Sequence, residues 1–294
     1  MIVPNQQNIK IHFAATENIP QFVSAKTIGV DYNLLTVFPF ISEKIGIKSI
    51  KIFADKKDIE IPQLIHNNSN HSIMDSGLFT LMFGSHKGKK DYQFIDKWYN
   101  LLTDFIIESN YRGACVEVDC QKVLGADKAW EFRKRMQNKI KNRIINVFHL
   151  EDKQKGLDKL IEYSNYIAIS VPELRFAKKK DYVVRLANYI KNKKPEIDIH
   201  LLGCTEKRIL ERTKFCSSAD SSSWKSGIRY GYIKGNKISN IKKHVIEKLN
   251  KEIKQMSKKL NIEMNISKKN NDAILALNAL IALNDYKKWC GNQN

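Results

Sequence analysis

A chain of 294 residues can hold one domain of barrel size or two ordinary ones. Its 50 Lys and Arg against 31 Asp and Glu leave a formal charge of +19, more than solubility asks, which points to a polyanionic partner, nucleic acid above all. The five cysteines are odd in number and lack C-x-x-C spacing, which argues against a disulfide framework or a zinc finger, and the longest apolar stretch, 273–283, is too short for a bilayer and broken by Asn278.

The opening Met1-Ile2-Val3-Pro4 leads into polar residues rather than a basic-then-apolar leader, so a cytoplasmic protein without a membrane partner is expected. Runs rich in Ile, Val and Phe then alternate with helical periodicity, the signature of βα repetition. In chain order, strands are predicted over 10–14, 47–53, 72–75, 114–119, 144–149, 166–170, 198–203 and 214–219. Between them, the helix predicted over 92–108 gathers Phe94, Ile95, Trp98, Leu101, Leu102, Phe105 and Ile106 on one stripe. Leu124, Trp130, Met136 and Ile140 mark a second helix over 123–140, and Val183, Leu186 and Ile190 a third over 182–190. Core packing is the reading given to their aromatics.

After Tyr232 the character changes. Residues 239–260 are lysine-rich, with Ile241, Val245, Leu249, Ile253, Met256 and Leu260 at near-heptad spacing, and 272–289 is apolar nearly all round. A catalytic barrel over 1–235 with a basic helical extension over 236–294, packed on the barrel, is therefore expected. The basic face is either a solvated surface or a track for a phosphate backbone. Lysine enrichment with abundant Asn and Ile is also what biased base composition produces.

Eight strands with crossover helices suit an α/β fold, either a (β/α)8 TIM barrel or a doubly wound sheet. The count of eight favours the barrel. So do the polar residues at strand ends, Asp75, Asp119, His149, Ser170 and Asp220, which converge on one face only in a barrel. Asp75 and Asp220 each follow an apolar run and precede small polar residues, where a βα unit carries a catalytic carboxylate. Two such carboxylates suggest nucleophilic and acid–base work at a sugar carbon. Either aspartate alone is also what a helix N-cap or a turn uses. His149 and His200 read as satisfied strand-end histidines or as catalytic groups.

The segments Asp75-Ser76-Gly77, Val118-Asp119-Cys120, Ile169-Ser170-Val171-Pro172-Glu173, His200-Leu201-Leu202-Gly203 and Ser218-Ala219-Asp220-Ser221 follow the order and approximate spacing of the tRNA-guanine transglycosylase superfamily. Over residues 70–231 the chain most resembles its 7-deazaguanine DNA transglycosylases, found in phages and bacterial DNA-modification islands; a phage-encoded member would work in the host cytoplasm. The resemblance implies exchange of guanine in a nucleic acid for a free base, 7-cyano-7-deazaguanine or a derivative, without a cofactor. Asp220 is implied as nucleophile and Asp75 as general acid–base. Asp119 is implied as the purine acceptor, with Glu117 as an alternative, and His149 or the Ser170 backbone as the donor to O6. Glu173 would lie near the 7-substituent, and Ser76, Gly77 and Gly203 in the base-binding loops. Trp224 is expected either to stack on a base or to cover the barrel rim, while Lys225 and Arg229 are expected to meet the nucleic acid. The tRNA-modifying members carry a cysteine-rich zinc motif after the nucleophile, but here Cys216 is followed by no cysteine until Cys290, so no metal is expected and DNA is favoured over tRNA. A tRNA-directed enzyme and an inert nucleic-acid-binding paralogue are the rival readings.

Overall fold

The computed structural model describes residues 8–47, 58–78, 91–233, 236–267 and 269–293. Eight parallel strands close into a barrel in chain order: β1 (Lys10–Ala14), β2 (Tyr32–Thr36), β3 (His71–Asp75), β4 (Ala114–Val116), β5 (Ile144–Phe148), β6 (Tyr166–Ser170), β7 (Asp198–Leu202) and β8 (Ser218–Ser221). Closure runs through β8 and β1, where His12 lies beside Asp220. Around the barrel are α1 (Ile19–Thr27), α2 (Phe38–Ile41), α3 (Ile61–Asn67), α4 (Tyr92–Glu108), α5 (Gln121–Leu124), α6 (Ala126–Lys139) and α7 (Lys153–Tyr163). They are followed by α8 (Val171–Phe176), α9 (Tyr182–Lys193), α10 (Lys207–Arg212), α11 (Ser226–Tyr230), α12 (Lys243–Lys259) and α13 (Asn271–Cys290). The barrel expected from the strand-end pattern is the fold observed.

One strand is not where the sequence places it. The second strand is Tyr32–Thr36, whereas all of the predicted 47–53 run except Ile47 lies outside the described residues. A buried Asn33, whose amide donates to Ser69 Oγ at 2.8 Å, interrupts the apolar pattern of β2 and hides it. The last strand begins at Ser218, because Lys214 and Phe215 lie in the turn closed by the Cys216 N–H donating to Thr213 O at 2.8 Å. The helix predicted over 123–140 is two, α5 and α6, parted at Gly125.

Alternation along the strands positions the site. Side chains two apart share a face, so the interior takes Ala14, Leu34, Ile73, Val116, Val147 and Ala168, which form one buried cluster. Their neighbours Phe13, Leu35, Met74, Cys115, Phe148 and Ile169 pack outward against the helices. Asp75 is two residues beyond Ile73, and Asp220 two beyond Ser218, so each carboxylate lies on the interior face at or next to the end of its strand, toward the C-terminal mouth.

The two long C-terminal helices pack on this body. Helix α13 lies against α1 and α10, and Leu275, Ala279, Leu283, Tyr286 and Cys290 join the cluster holding Ile11, Phe13 and Ala219. Just beyond it, the buried Gln293 accepts from the Ile11 N–H and donates to Ile9 O, both at 2.8 Å, which ties this end of the chain to β1. Helix α12 buries Leu249, Ile253 and Ser257 against α1 and α13 and turns Lys248, Lys251, Lys254 and Lys258 outward. Among the described residues, no helix is long and apolar enough to cross a membrane.

Candidate active site

A cavity of about 350 Å³ opens at the C-terminal end of the barrel, within the usual range for a small-molecule pocket. Leu34, Val116 and Val147 of the interior cluster form part of its apolar lining, and Asp75, Asp119 and Asp220 bring three carboxylates to it. Ser76, Ser170 and Gly203 also line it.

Asp220 is held at one oxygen. Its Oδ1 accepts the Gly203 N–H at 2.7 Å and lies 3.3 Å from His200 Nε2. The Gly203 contact needs glycine: the residue sits at φ +60°, and a Cβ there would come within 2.9 Å of Pro172 Cγ. Gly203, expected in a base-binding loop, therefore gives its N–H to the carboxylate.

Asp75 differs from it in character. Burial raises its carboxyl to about 6; the charges of Asp220 and Asp119 push the same way, while the Gly77 N–H, 3.2 Å from Oδ2, opposes. Gly77 sits at φ +72° with Phe38 Cβ only 3.0 Å from where its own Cβ would be, so the turn after β3 requires glycine. The Gly77 N–H meets Asp75, and the Ser76 carbonyl accepts from Trp98 Nε1 at 2.9 Å, which anchors the loop.

Asp119 is clamped from behind. Its Oδ1 is 2.6 Å from His149 Nε2, and His149 Nδ1 is 3.0 Å from Glu173 Oε2. Burial opposes the charged imidazole, but the two carboxylates outweigh it and raise His149 to about 10. Burial would lift Glu173, yet the hydrogen bonds from His149, Lys122 and the Leu150 N–H hold it at about 2. His149 is thus an imidazolium with both N–H groups given to carboxylates, and the expectation that it donates to a purine O6 is corrected. Glu173 serves this clamp and is not among the residues lining the cavity. The Ser170 hydroxyl caps α8 by accepting the Glu173 N–H at 3.4 Å.

The fold also places Glu117, Trp224 and Lys225. Glu117 cannot be the purine acceptor: it is buried in an ion pair with Arg133, 2.6 Å from both Nε and Nη2, and also accepts from Asn146 Nδ2 and the Val147 N–H. Trp224 is 2% exposed, donates to Ala14 O at 3.0 Å and packs on Phe13, so it covers the rim and is not open to a base. Lys225 is half-buried; burial lowers its pKa and the Glu17 carboxylate opposes. Arg229 belongs to α11, and its side chain lies outside the described residues.

Sequence reasoning passed over Glu17, which burial raises to about 7 and whose Oε2 accepts the Thr36 N–H at 3.2 Å. It also missed Tyr166 and Ser218, which sit behind His200. Apolar–polar alternation within β6 and β8 was the available signal for those two. All five cysteines are free and buried, and burial pushes their thiols up, which leaves them unsuited to nucleophilic work. Among the described residues there is no cluster of three or more His, Cys, Asp or Glu able to hold a metal ion. No protein-family model matches the chain, and a search of curated proteins returned no match.

Proposed function

We propose that this barrel is a base-exchanging transglycosylase acting on guanine in DNA, with Asp220 as nucleophile and Asp75 as general acid–base. One observation carries the reading. Two carboxylates share a single cavity in opposite roles, Asp220 held as an acceptor by the Gly203 N–H with His200 Nε2 beside it, and Asp75 raised to about 6, where it can both give and take a proton. Such a pair matches displacement at a glycosidic carbon.

In the first step an Asp220 oxygen bonds to C1′ as the C1′–N9 bond breaks, and Asp75 supplies a proton to the departing guanine. In the second, Asp75 recovers a proton from the incoming 7-deazaguanine, whose N9 displaces the aspartate from C1′. Asp119, held by the His149 imidazolium, provides the acceptor for the purine N1–H and amine. Neither C1′ nor the guanine edge is reachable inside a duplex, so the target nucleotide must be flipped or presented single-stranded. The outward lysines of α12 and the net charge of +19 support a polyanionic substrate. The lack of a zinc-binding cysteine cluster after Asp220 favours DNA over tRNA.

The test supplies 7-cyano-7-deazaguanine with guanine-labelled duplex DNA and, separately, with labelled tRNA. Release of label from DNA alone is the expected result. Release from tRNA alone transfers the same chemistry to RNA, and release from neither, by a folded protein that binds DNA, leaves an inert binding paralogue.

A further inference from the structure

Behind Asp220 the barrel interior is polar where a packed core is ordinarily apolar. His200 of β7 is fully buried, with Nδ1 2.6 Å from Ser218 Oγ and Nε2 3.3 Å from Asp220 Oδ1. Ser218 Oγ is in turn 2.5 Å from the Tyr166 hydroxyl. Three elements, β6, β7 and β8, thus contribute one continuous line of hydrogen bonds that ends on the candidate nucleophile.

The line has a direction. Burial pushes the Tyr166 phenol up, so it keeps its proton and gives it to Ser218. Ser218 then directs its single proton to His200 Nδ1, which becomes an acceptor, and the remaining ring hydrogen sits on Nε2, facing Asp220. Reversed, the line would set an unprotonated Nε2 against a carboxylate and deprive the Tyr166 proton of this acceptor. We propose that His200 is a positioning residue, fixed by Tyr166 and Ser218 as the neutral Nε2–H form, and that its N–H and that of Gly203 together anchor Asp220 through Oδ1. Both donors converge on Oδ1, which assigns attack at C1′ to Oδ2.

Other titratable groups surround the ring. His12 of β1 meets the His200 ring edge-on at 6.2 Å and contacts His71 of β3, Nε2 to Nδ1, at 2.8 Å. Burial lowers both, His71 to about 4. Below, Arg143 stacks over Tyr166 at 4.6 Å and pairs with Asp198 at 2.5 Å. On the mouth side Asp220 faces Asp75, the Cys204 thiol, which burial pushes up to about 12, and Tyr286, whose hydroxyl donates to Ser221 Oγ at 2.9 Å.

The role of Asp220 in this proposal rests on the base-exchange reading; the hydrogen-bond line does not, and the test separates them. In the 15N-histidine NMR spectrum of the full-length protein at neutral pH, His200 should carry hydrogen on Nε2 and none on Nδ1. An Nδ1–H ring or an imidazolium overturns the line whatever the protein catalyses. In the exchange assay, His200→Leu should lose about ten- to hundredfold in kcat with KM little changed, the worth of one hydrogen bond to a charged group, and His200→Gln, which keeps a side-chain N–H donor, should recover most of it. Equal losses in both variants, each folded by its spectrum, overturn the positioning role. A wild-type protein that releases no guanine refutes base exchange, while the tautomer still decides the line.

Discussion

Asp75 and His149 are each shifted by their surroundings, and each makes a different pH prediction. Asp75, raised to about 6 by burial and two neighbouring aspartates, can assist guanine departure only while protonated. The kcat profile on DNA should therefore fall as pH rises through about 6. In Asp75→Asn that limb should vanish and the rate drop by about 10²- to 10⁴-fold, the usual worth of a general acid–base; a limb that persists in the variant would remove Asp75 from the role. The Asp119–His149–Glu173 clamp instead governs stability. Glu173, held at about 2, stabilises the fold above its ordinary 4.5, and that contribution is lost as pH falls toward 2. His149, raised to about 10, stabilises it fully below its ordinary 6.5, and that contribution is lost as pH climbs toward 10. Melting temperatures taken from neutral to alkaline pH should decline more steeply for the wild type than for His149→Gln; parallel curves would mean the clamp is not charged.

At the scale of elements, strand ends carry the site and the helices behind them set which residues are free to act. The motif after β4 offers two carboxylates, Glu117 and Asp119, and spacing alone cannot choose between them. Helix α6 decides it by presenting Arg133 to Glu117 in a buried bidentate pair. Arg133→Met would leave Glu117 buried without its partner and should cost about 3–5 kcal/mol in denaturant unfolding; a loss below about 1 kcal/mol, the level of an exposed pair, would show the pair to be solvated. Asp75, Asp119 and Asp220 were legible because each ends an apolar run. Strand β2 was not, since Asn33 breaks its pattern and finds its partner, Ser69, thirty-six residues away. Trp224 shows the same limit. An aromatic beside a basic residue reads equally as a base-stacking group or a rim cover until the chain folds its indole onto the Ala14 carbonyl.

The whole molecule joins a closed barrel to a basic surface. Eight-fold βα repetition and convergent strand ends made the barrel readable from sequence, whereas the docking of α13 between α1 and α10, and of Gln293 on β1, depends on contacts across almost the full chain length. The outward lysines of α12 belong to this scale. Replacing Lys251, Lys254 and Lys258 by Gln should weaken DNA binding uniformly across sequences and flatten its salt dependence, with exchange on bound DNA retained; an unchanged salt slope would place the backbone contacts elsewhere. The central claim is that Asp220 takes over C1′ when guanine leaves, and the most direct measurement looks for that bond. A guanine-containing oligodeoxynucleotide would be incubated with the protein without incoming base, and the denatured mixture analysed by peptide mass spectrometry. The account predicts a DNA strand covalently attached through Asp220, absent in Asp220→Asn and discharged by adding 7-cyano-7-deazaguanine. Guanine release with no adduct, or an adduct that survives in Asp220→Asn, would contradict it.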